Sequence, residues 1–342
     1  VTPSPAPFWL LYVVAALLAV TLWAGGAWPL VVPAFVFVVV PVADGLLGLD
    51  DRDHGPQRWW DDLPLWLWVP TQLGLVGWLV ATASGRGGWE LAVATGAVGL
   101  LSGAGGITIA HELVHRKGRA ERAMAEALMT SVSYPWFCVE HVLGHHRNVG
   151  TLRDPATSRL GESVYAFLPR TLVGSFRSFW ELEGAYAGRR GIRPWDPRDR
   201  RLRYGVVGLA LHAGVLVAGG PAGWLAFAGQ SVVAVLLLEV VNYVEHYGLQ
   251  RRAAPDGGFE RVRRHHSWNA RQWLSGAFLL HLPRHADHHA NAARPYRELR
   301  AFPDAPALPW GYATAVLVAL VPPLWRRAMD PRVEAARRAQ AA

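Results

Sequence analysis

The 342-residue chain is 51% hydrophobic and only 18% charged, with 17 tryptophans and a formal charge of +8. Soluble domains carry about 25% charged residues, so this composition excludes an ordinary soluble enzyme and points to a polytopic membrane protein. The single cysteine, Cys138, excludes a disulfide framework and any built-in metal domain made of paired cysteines; the positive charge reads as a marker of the cytoplasmic side rather than of nucleic-acid binding.

Six apolar segments approach or exceed the length that spans roughly 30 Å of hydrocarbon. They lie near 8–25, 28–49, 63–83, 89–110, 204–220 and 222–241. Trp9, Trp23, Trp28, Trp66, Trp68 and Trp89 sit near their ends, as an interfacial belt would. The first eight residues lack Lys and Arg, so the first run is expected to be a retained span rather than a cleaved signal. Gly219-Gly220-Pro221 predicts a tight turn between the last two spans. Six spans put both termini on one face. The loops at 26–27, 84–88 and 219–222 lie on the other, and of 34 Lys and Arg residues only Arg86 falls in them. The termini, the 50–62 loop and the 111–203 region are therefore expected in the cytoplasm.

The expected fold is all-α and polytopic, with six transmembrane helices and a cytoplasmic histidine-rich region in one integrated unit. Spans one to four fill 1–110 and spans five and six fill 204–241. The cytoplasmic regions are 111–203 and 242–342. The apolar stretch 308–325 (LPWGYATAVLVALVPPLW) would, as a seventh span, send Arg326, Arg327, Arg332, Arg337 and Arg338 outside. It reads instead as an interfacial helix, or one packed on the cytoplasmic region, broken at Pro322-Pro323.

Most of the 14 histidines fall in four clusters. His111-Glu-Leu-Val-His115 follows the fourth span, and residues four apart share a helix face. Cys138-Val-Glu-His-Val-Leu-Gly-His-His supplies His141, His145 and His146. In a regular helix His141 and His145 share a face, with His146 turned about 100° away toward a second ion. His246 ends the sixth span on one face with Glu239 and Asn242. Arg284-His-Ala-Asp-His-His supplies His285, His288 and His289. HExxH alone suggests a zinc protease, but nine candidate ligands are too many for one zinc. Nine imidazoles suit two ions with four or five nitrogens each, and imidazole alone does not choose among Fe, Cu, Zn and Ni. Glu112, Glu140, Glu245 and Asp287 each neighbour a candidate ligand and are expected to accept its outer N–H. Glu239 is an intramembrane carboxylate, and such residues are functional candidates.

HELVHRK (111–117), EHVLGHHRNVGTLRDPATSRLGES (140–163), NYVEHYGL (242–249), HHSWN (265–269) and HLPRHADHHA (281–290) resemble the membrane alkane 1-monooxygenases. These belong to the wider histidine-box group that includes fatty acid desaturases and xylene monooxygenases. The usual family forms are HELGHK and LQRHSDHH; here Val114, Arg116, Pro283 and Ala286 depart from them without removing a candidate ligand. The resemblance implies two iron ions held by His111, His115, His141, His145, His146, His246, His285, His288 and His289. It implies oxidation of a terminal methyl group with dioxygen, and a substrate tunnel from the bilayer to the irons. Asp154 and Asn148 are plausible supports, as are His265, His266 and His281. His54 and His212 are expected to be structural or exposed. Residues along spans two to four would set chain length. The resemblance further implies rubredoxin as electron donor, reduced by an NAD(P)H-dependent reductase. Arg189, Arg190, Arg198, Arg200, Arg201 and Arg203 offer a basic face to an acidic donor, or equally to anionic lipid.

Overall fold

The computed structural model describes residues 6–255 and 257–341, so the expectation for the first eight residues lies mostly outside the described residues. Within them the chain is helical, with isolated β-bridges and no strand. Five helical stretches are long and apolar enough to cross a membrane. They are α1 (Pro7–Ala24), α2 (Trp28–Leu47), α3 (Trp59–Gly85), α4 (Gly88–Val114) and the 47-residue Arg200–His246. Between the last two lie α5 (Arg119–Thr130), α6 (137–148) and α7 (Val164–Arg190). Arg200–His246 is α8.

A straight helix of 47 residues would run about 70 Å, more than twice the hydrocarbon thickness. α8 instead folds back on itself. Gly220 adopts φ 61°, ψ −168°, which a side chain would resist, and Pro221 opens the second arm where no N–H is needed. His212 Nδ1 accepts a hydrogen bond from Trp224 Nε1 at 3.1 Å. Twelve residues of straight helix would part them by about 18 Å. The two expected segments are thus the arms of one helical hairpin, 200–219 and 221–246.

α4 does not stop near 110 but continues to Val114, and the second arm of α8 continues to His246. The expected boundaries at 110, 203 and 241 therefore fall inside helices. This continuity matters, because it places His111 and His246 on the same rigid rods that carry the apolar core. α4 and the second arm pack closely through small residues. A Cβ at Gly99 would lie 2.7 Å from the Gln230 carbonyl oxygen, and one at Gly103 would lie 3.0 Å from that of Ala234. Small residues let helix backbones approach where lipid offers little hydrophobic drive. On its other side α4 meets α3, where Gly105 faces the Trp68 ring. Trp68 Nε1 donates to Gln72 Oε1 at 3.1 Å, and Gln72 Nε2 donates to Ser131 Oγ at 2.8 Å. Val38, Leu46, Leu209 and Val217 stand exposed on outer faces, as a multi-pass membrane protein requires.

Three short helices complete the fold: α9 (Trp273–Phe278), α10 (His285–Ala290) and α11 (Tyr312–Ala319). α12 (Pro322–Ala341) ends it. The 308–325 stretch divides between α11 and α12. α11 has eight residues, about 12 Å, too short to span. Its Tyr312, Ala315, Val316 and Ala319 are buried. Pro322-Pro323 starts α12 rather than ending a helix, since a first turn needs no proline N–H. Trp325, Met329 and Val333 then bury against the segment that follows His246.

Gly99→Val is expected to destabilise the protein by about 1–3 kcal/mol, because the added atoms meet backbone that cannot give way. Gly77→Ala, where nothing lies within 4 Å of the new atom, should not destabilise, and helix propensity favours it by about 0.5–1 kcal/mol. Thermal unfolding of both variants in detergent measures the difference.

Candidate metal centre

Nine histidines from four segments converge on one volume at the ends of α4 and α8. They separate into two groups whose donor atoms lie within 4.8 Å of one another. The first holds His111, His115, His141, His146 and His288; the second holds His145, His246, His285 and His289. In the first group Nε2–Nε2 distances are 3.1 Å for His115–His141, 3.0 Å for His146–His141 and 3.0 Å for His288–His146. In the second they are 3.2 Å for His285–His246 and 2.9 Å for His289–His285. His145 Nε2 completes the second group, 3.3 Å from His289 Nε2, and the two groups adjoin where the His146 and His289 rings lie 4.5 Å apart.

Local backbone decides which ring goes where. His111 and His115, four apart on α4, stay together as expected, and so do His285 and His289 on α10. His141 and His145 do not, which corrects the regular-helix expectation. Residues 141–145 form a turn of π-helix, in which the His146 N–H reaches back five residues to the His141 carbonyl. That turn aligns His141 with His146 and sends His145 to the other group. On α10, His288 likewise leaves its neighbours and crosses to the first group.

The residues fit metal ions. Imidazole nitrogens at about 2.0–2.1 Å from an ion lie about 3 Å from one another, which is the spacing seen here. His111 Nε2 is buried with no hydrogen-bond partner, as a nitrogen reserved for a cation would be. Burial pushes His141, His146, His285, His288 and His289 well below the usual imidazole range, and His115 down to about 4. Neutral imidazole is the form that binds metal. His145 is the exception. Burial is the largest single effect and lowers its pKa, but the carboxylates around it, Asp154 foremost, together outweigh burial and raise it.

Asp154 meets His145 on the outer side of its ring. His145 Nδ1–H donates to its Oδ2 at 2.9 Å, which leaves Nε2 facing the other imidazoles, as an orienting carboxylate would. Thr157 Oγ1 and the Ala156 N–H hold Asp154 in turn. The four carboxylates expected to do this work have other partners. Glu112 pairs with Arg116 at 2.7 Å and accepts from the Tyr296 N–H. Glu140 accepts from Ser178 Oγ at 3.1 Å, and burial pushes it up to about 8. Asp287 takes Arg294, the Arg300 N–H and Asn291, tying α10 to the chain beyond it. Glu245 turns inward: its Oε2 lies 3.2 Å from His285 Nε2, on the ion-facing side, while Oε1 accepts from Tyr312 Oη at 2.7 Å. Each carboxylate stands next to a candidate ligand in the chain, so helical geometry turns it away from that neighbour; Glu245 alone of the four then meets another candidate ligand, His285. Glu239 and Asn242 share a buried network, with Asn242 Nδ2 donating to Glu239 Oε2 at 3.2 Å.

The remaining histidines serve the frame. His266 Nδ1 accepts from the Arg263 N–H, and its Nε2 meets Glu260 at 3.1 Å. His212 links the arms of α8. His54 is buried, not exposed, beside Asp50 and His281. Those three residues group as metal ligands would, but the Arg52 and Arg284 guanidiniums already hold the Asp50 carboxylate. Arg284 also donates to the carbonyls of Asp50, Arg52 and Leu299, bracing the residue before His285. Asn148 caps the Gly144 carbonyl. The sequence carried no signal for Tyr312, which lies in a stretch that reads only as apolar.

An apolar cavity leads to both groups. His111 and His141 of the first group and His285 of the second stand on its wall, with Glu245 and Asn242 beside them. Leu11 and Val14 of α1, Val32 and Phe35 of α2, and Leu101 and Ala104 of α4 line its apolar part. Of the expected spans two to four, α2 and α4 line that wall and α3 does not among the described residues; α1, α6, the second arm of α8, α9, α10 and α11 line it as well.

A family model described as fatty acid desaturase matches residues 87–319. The chain is 40% identical to alkane 1-monooxygenase 2 of Pseudomonas aeruginosa over 326 residues, covering 90% of this chain and 85% of that protein. It is 37% identical to alkane 1-monooxygenase 2 of Alcanivorax borkumensis, covering 90% and 83%. It is 29% identical to the xylene/toluene monooxygenase hydroxylase component XylM of Pseudomonas putida, covering 93% and 86%.

Asp154→Asn keeps the shape but frees the His145 ring to adopt the wrong tautomer. The expected result is a loss of metal affinity of about 10–100-fold at the second group, with the fold intact. Metal titration followed by elemental analysis checks it.

Proposed function

The chain belongs to the alkane 1-monooxygenase family, within the wider fatty acid desaturase family, and from that premise we propose that it hydroxylates the terminal methyl group of medium- to long-chain n-alkanes with dioxygen as co-substrate. The observation that carries this reading is the cavity: its walls are apolar along their length, and its polar end is built of imidazoles from both groups. An alkane has no polar handle, so a shaped apolar channel is the means by which a protein can choose one carbon. The same walls exclude water from the reacting end.

Two iron ions are the proposed cofactors. His111, His115, His141, His146 and His288 would hold one, and His145, His246, His285 and His289 the other. Bound iron supplies the activation of dioxygen, chemistry that no side chain provides. Asp154 would hold the proton on His145 Nδ1, so that Nε2 is the nitrogen left to bind the ion. Glu245 offers a carboxylate oxygen to the second ion, and Tyr312 holds that carboxylate in place. Glu140 and Asp287 act at a distance, by fixing α6 and α10. The likeness to XylM favours aromatic methyl hydroxylation as the second reading, and fatty acyl desaturation shares the same histidine boxes.

The proposed setting is the bacterial inner membrane, crossed six times because α8 crosses twice, with termini and metal centre in the cytoplasm. The near-absence of Lys and Arg from the opposite loops supports this orientation. Electrons are proposed to come from rubredoxin, reduced by an NAD(P)H-dependent rubredoxin reductase. Of the six basic residues expected to face it, Arg198, Arg200, Arg201 and Arg203 are already ion-paired with Asp196, Glu183, Asp199 and Glu126. Arg189 and Arg190 have no carboxylate partner among the described residues, and they centre the proposed docking face. No nucleic acid is expected as a partner; membrane lipid is.

Conversion of octane to 1-octanol by the iron-loaded protein, with rubredoxin and its reductase, tests the reaction. About two irons per chain and no alkene are expected; an alkene product, or one zinc in place of iron, would overturn it. If electrostatics guide docking, turnover with rubredoxin falls as salt rises over the range in which surface charges are screened. Salt-insensitive turnover would sink that part.

A further inference from the structure

Hydroxylating an alkane consumes protons as well as electrons: RCH3 + O2 + 2 e− + 2 H+ gives RCH2OH + H2O. The apolar channel offers no route for them. A small polar recess on the far side of α6 does. Tyr134, Glu140, Ser175 and Glu239 line it, together with the rings of His141 and His145. Three residues, Phe137, His141 and Asn242, belong both to this recess and to the substrate cavity. Asn242 is thus the polar side chain, other than a histidine, through which the two spaces meet.

Glu239 occupies the inner end of the recess. It is 2% exposed, on a helix long and apolar enough to span a membrane. No Lys or Arg pairs with it. Its partners are three neutral groups: Tyr134 Oη at 2.9 Å on Oε1, and Thr171 Oγ1 at 2.9 Å and Asn242 Nδ2 at 3.2 Å on Oε2. It hydrogen-bonds none of the nine histidines, although His141 and His145 line the same recess. A buried carboxyl group that lacks a cation is costly to keep permanently charged. The three donors favour the charged form and burial the neutral one, so neither state is fixed, as a group that gains and loses a proton requires. Glu140, also on the recess, accepts a hydrogen bond from Ser178, which is half-buried.

We propose that Glu239 is the proton-relay residue of this site, passing protons from the polar recess past Asn242 to the oxygen atom that leaves as water. In each pass the carboxyl O–H bond breaks and an O–H bond forms on the departing oxygen. The carboxylate is then reprotonated from the recess. Two passes per turnover deliver two protons, while the two electrons come from an external one-electron donor protein. The proposal rests on the alkane hydroxylase reading.

The test compares wild type, Glu239→Gln and Glu239→Asp as full-length, iron-loaded protein, supplied with rubredoxin, its reductase and octane. Glu239→Gln should keep its iron and its KM for octane, lose about 100-fold in kcat, and show a raised solvent deuterium isotope effect. Glu239→Asp should recover part of kcat. Infrared spectra provide a readout free of turnover: wild type should show an exchangeable protonated-carboxyl band that is absent from Glu239→Gln, with or without iron. Unchanged kcat in Glu239→Gln, or loss of activity in step with loss of iron and no rescue by Asp, would overturn the relay and leave Glu239 an anchor between helices. If wild type makes no octanol but the band exchanges, the alkane reading fails instead.

Discussion

Nine imidazoles gathered into two groups, eight of them with Nε2 about 3 Å from a neighbour's, are the constraint on which the rest of this molecule depends. Two protonated rings at that distance would repel by about 5 kcal/mol even at an effective dielectric of 20. Burial therefore keeps most of the rings neutral, His145 beside Asp154 being the exception, and neutral rings present lone pairs to one another. Only cations satisfy such an arrangement. The fold does not gain stability from gathering these groups; it gathers them at a cost that bound metal offsets. Much of the architecture consists of devices that hold the lone pairs in place. α4 and the second arm of α8 are clamped at Gly99 and Gly103, and each carries a ligand at its end. Arg284 braces the chain before His285, and Asp154 fixes His145.

The surroundings of the centre divide by polarity. Toward α1, α2 and α11 the wall is aliphatic and aromatic, suited to a ligand recognised by shape alone. Toward α7 it is hydroxyl, amide and carboxyl. The two sides meet at Asn242. A reaction that joins an apolar substrate to proton-consuming reduction of dioxygen needs both, and needs them separated, because water in the channel would defeat selection by shape. Rigid helices rather than loops supply most of the parts, which limits how far any ligand nitrogen can drift.

Much of this was legible in the chain itself. Apolar runs located the long helices because the lipid-exposed faces of a membrane protein have no polar period to blur them. Gly219-Gly220-Pro221 marked the hairpin because a positive φ followed by a missing N–H admits few alternatives. The histidine boxes named the same nine residues that the fold brings together. What resisted reading was direction. Glu112, Glu140, Glu245 and Asp287 stood next to ligands in sequence, and adjacency in a helix means a turn of about 100°, away from the neighbour. Asp154, nine residues from His145, reached it through a loop that no periodicity describes.

The sequence by itself determined that this is a helical membrane protein with a nine-histidine centre, because composition and residue type are one-dimensional properties. The tertiary structure alone decided how the nine divide five and four. One π turn at 141–145 shifts the register by a single residue, exchanging His145 for His146. It also decided that α11, a stretch that reads only as apolar, lines the cavity and holds Glu245 through Tyr312. Both outcomes come from long-range packing choosing among local conformations of nearly equal energy, and such a choice leaves no mark in a pattern of neighbours.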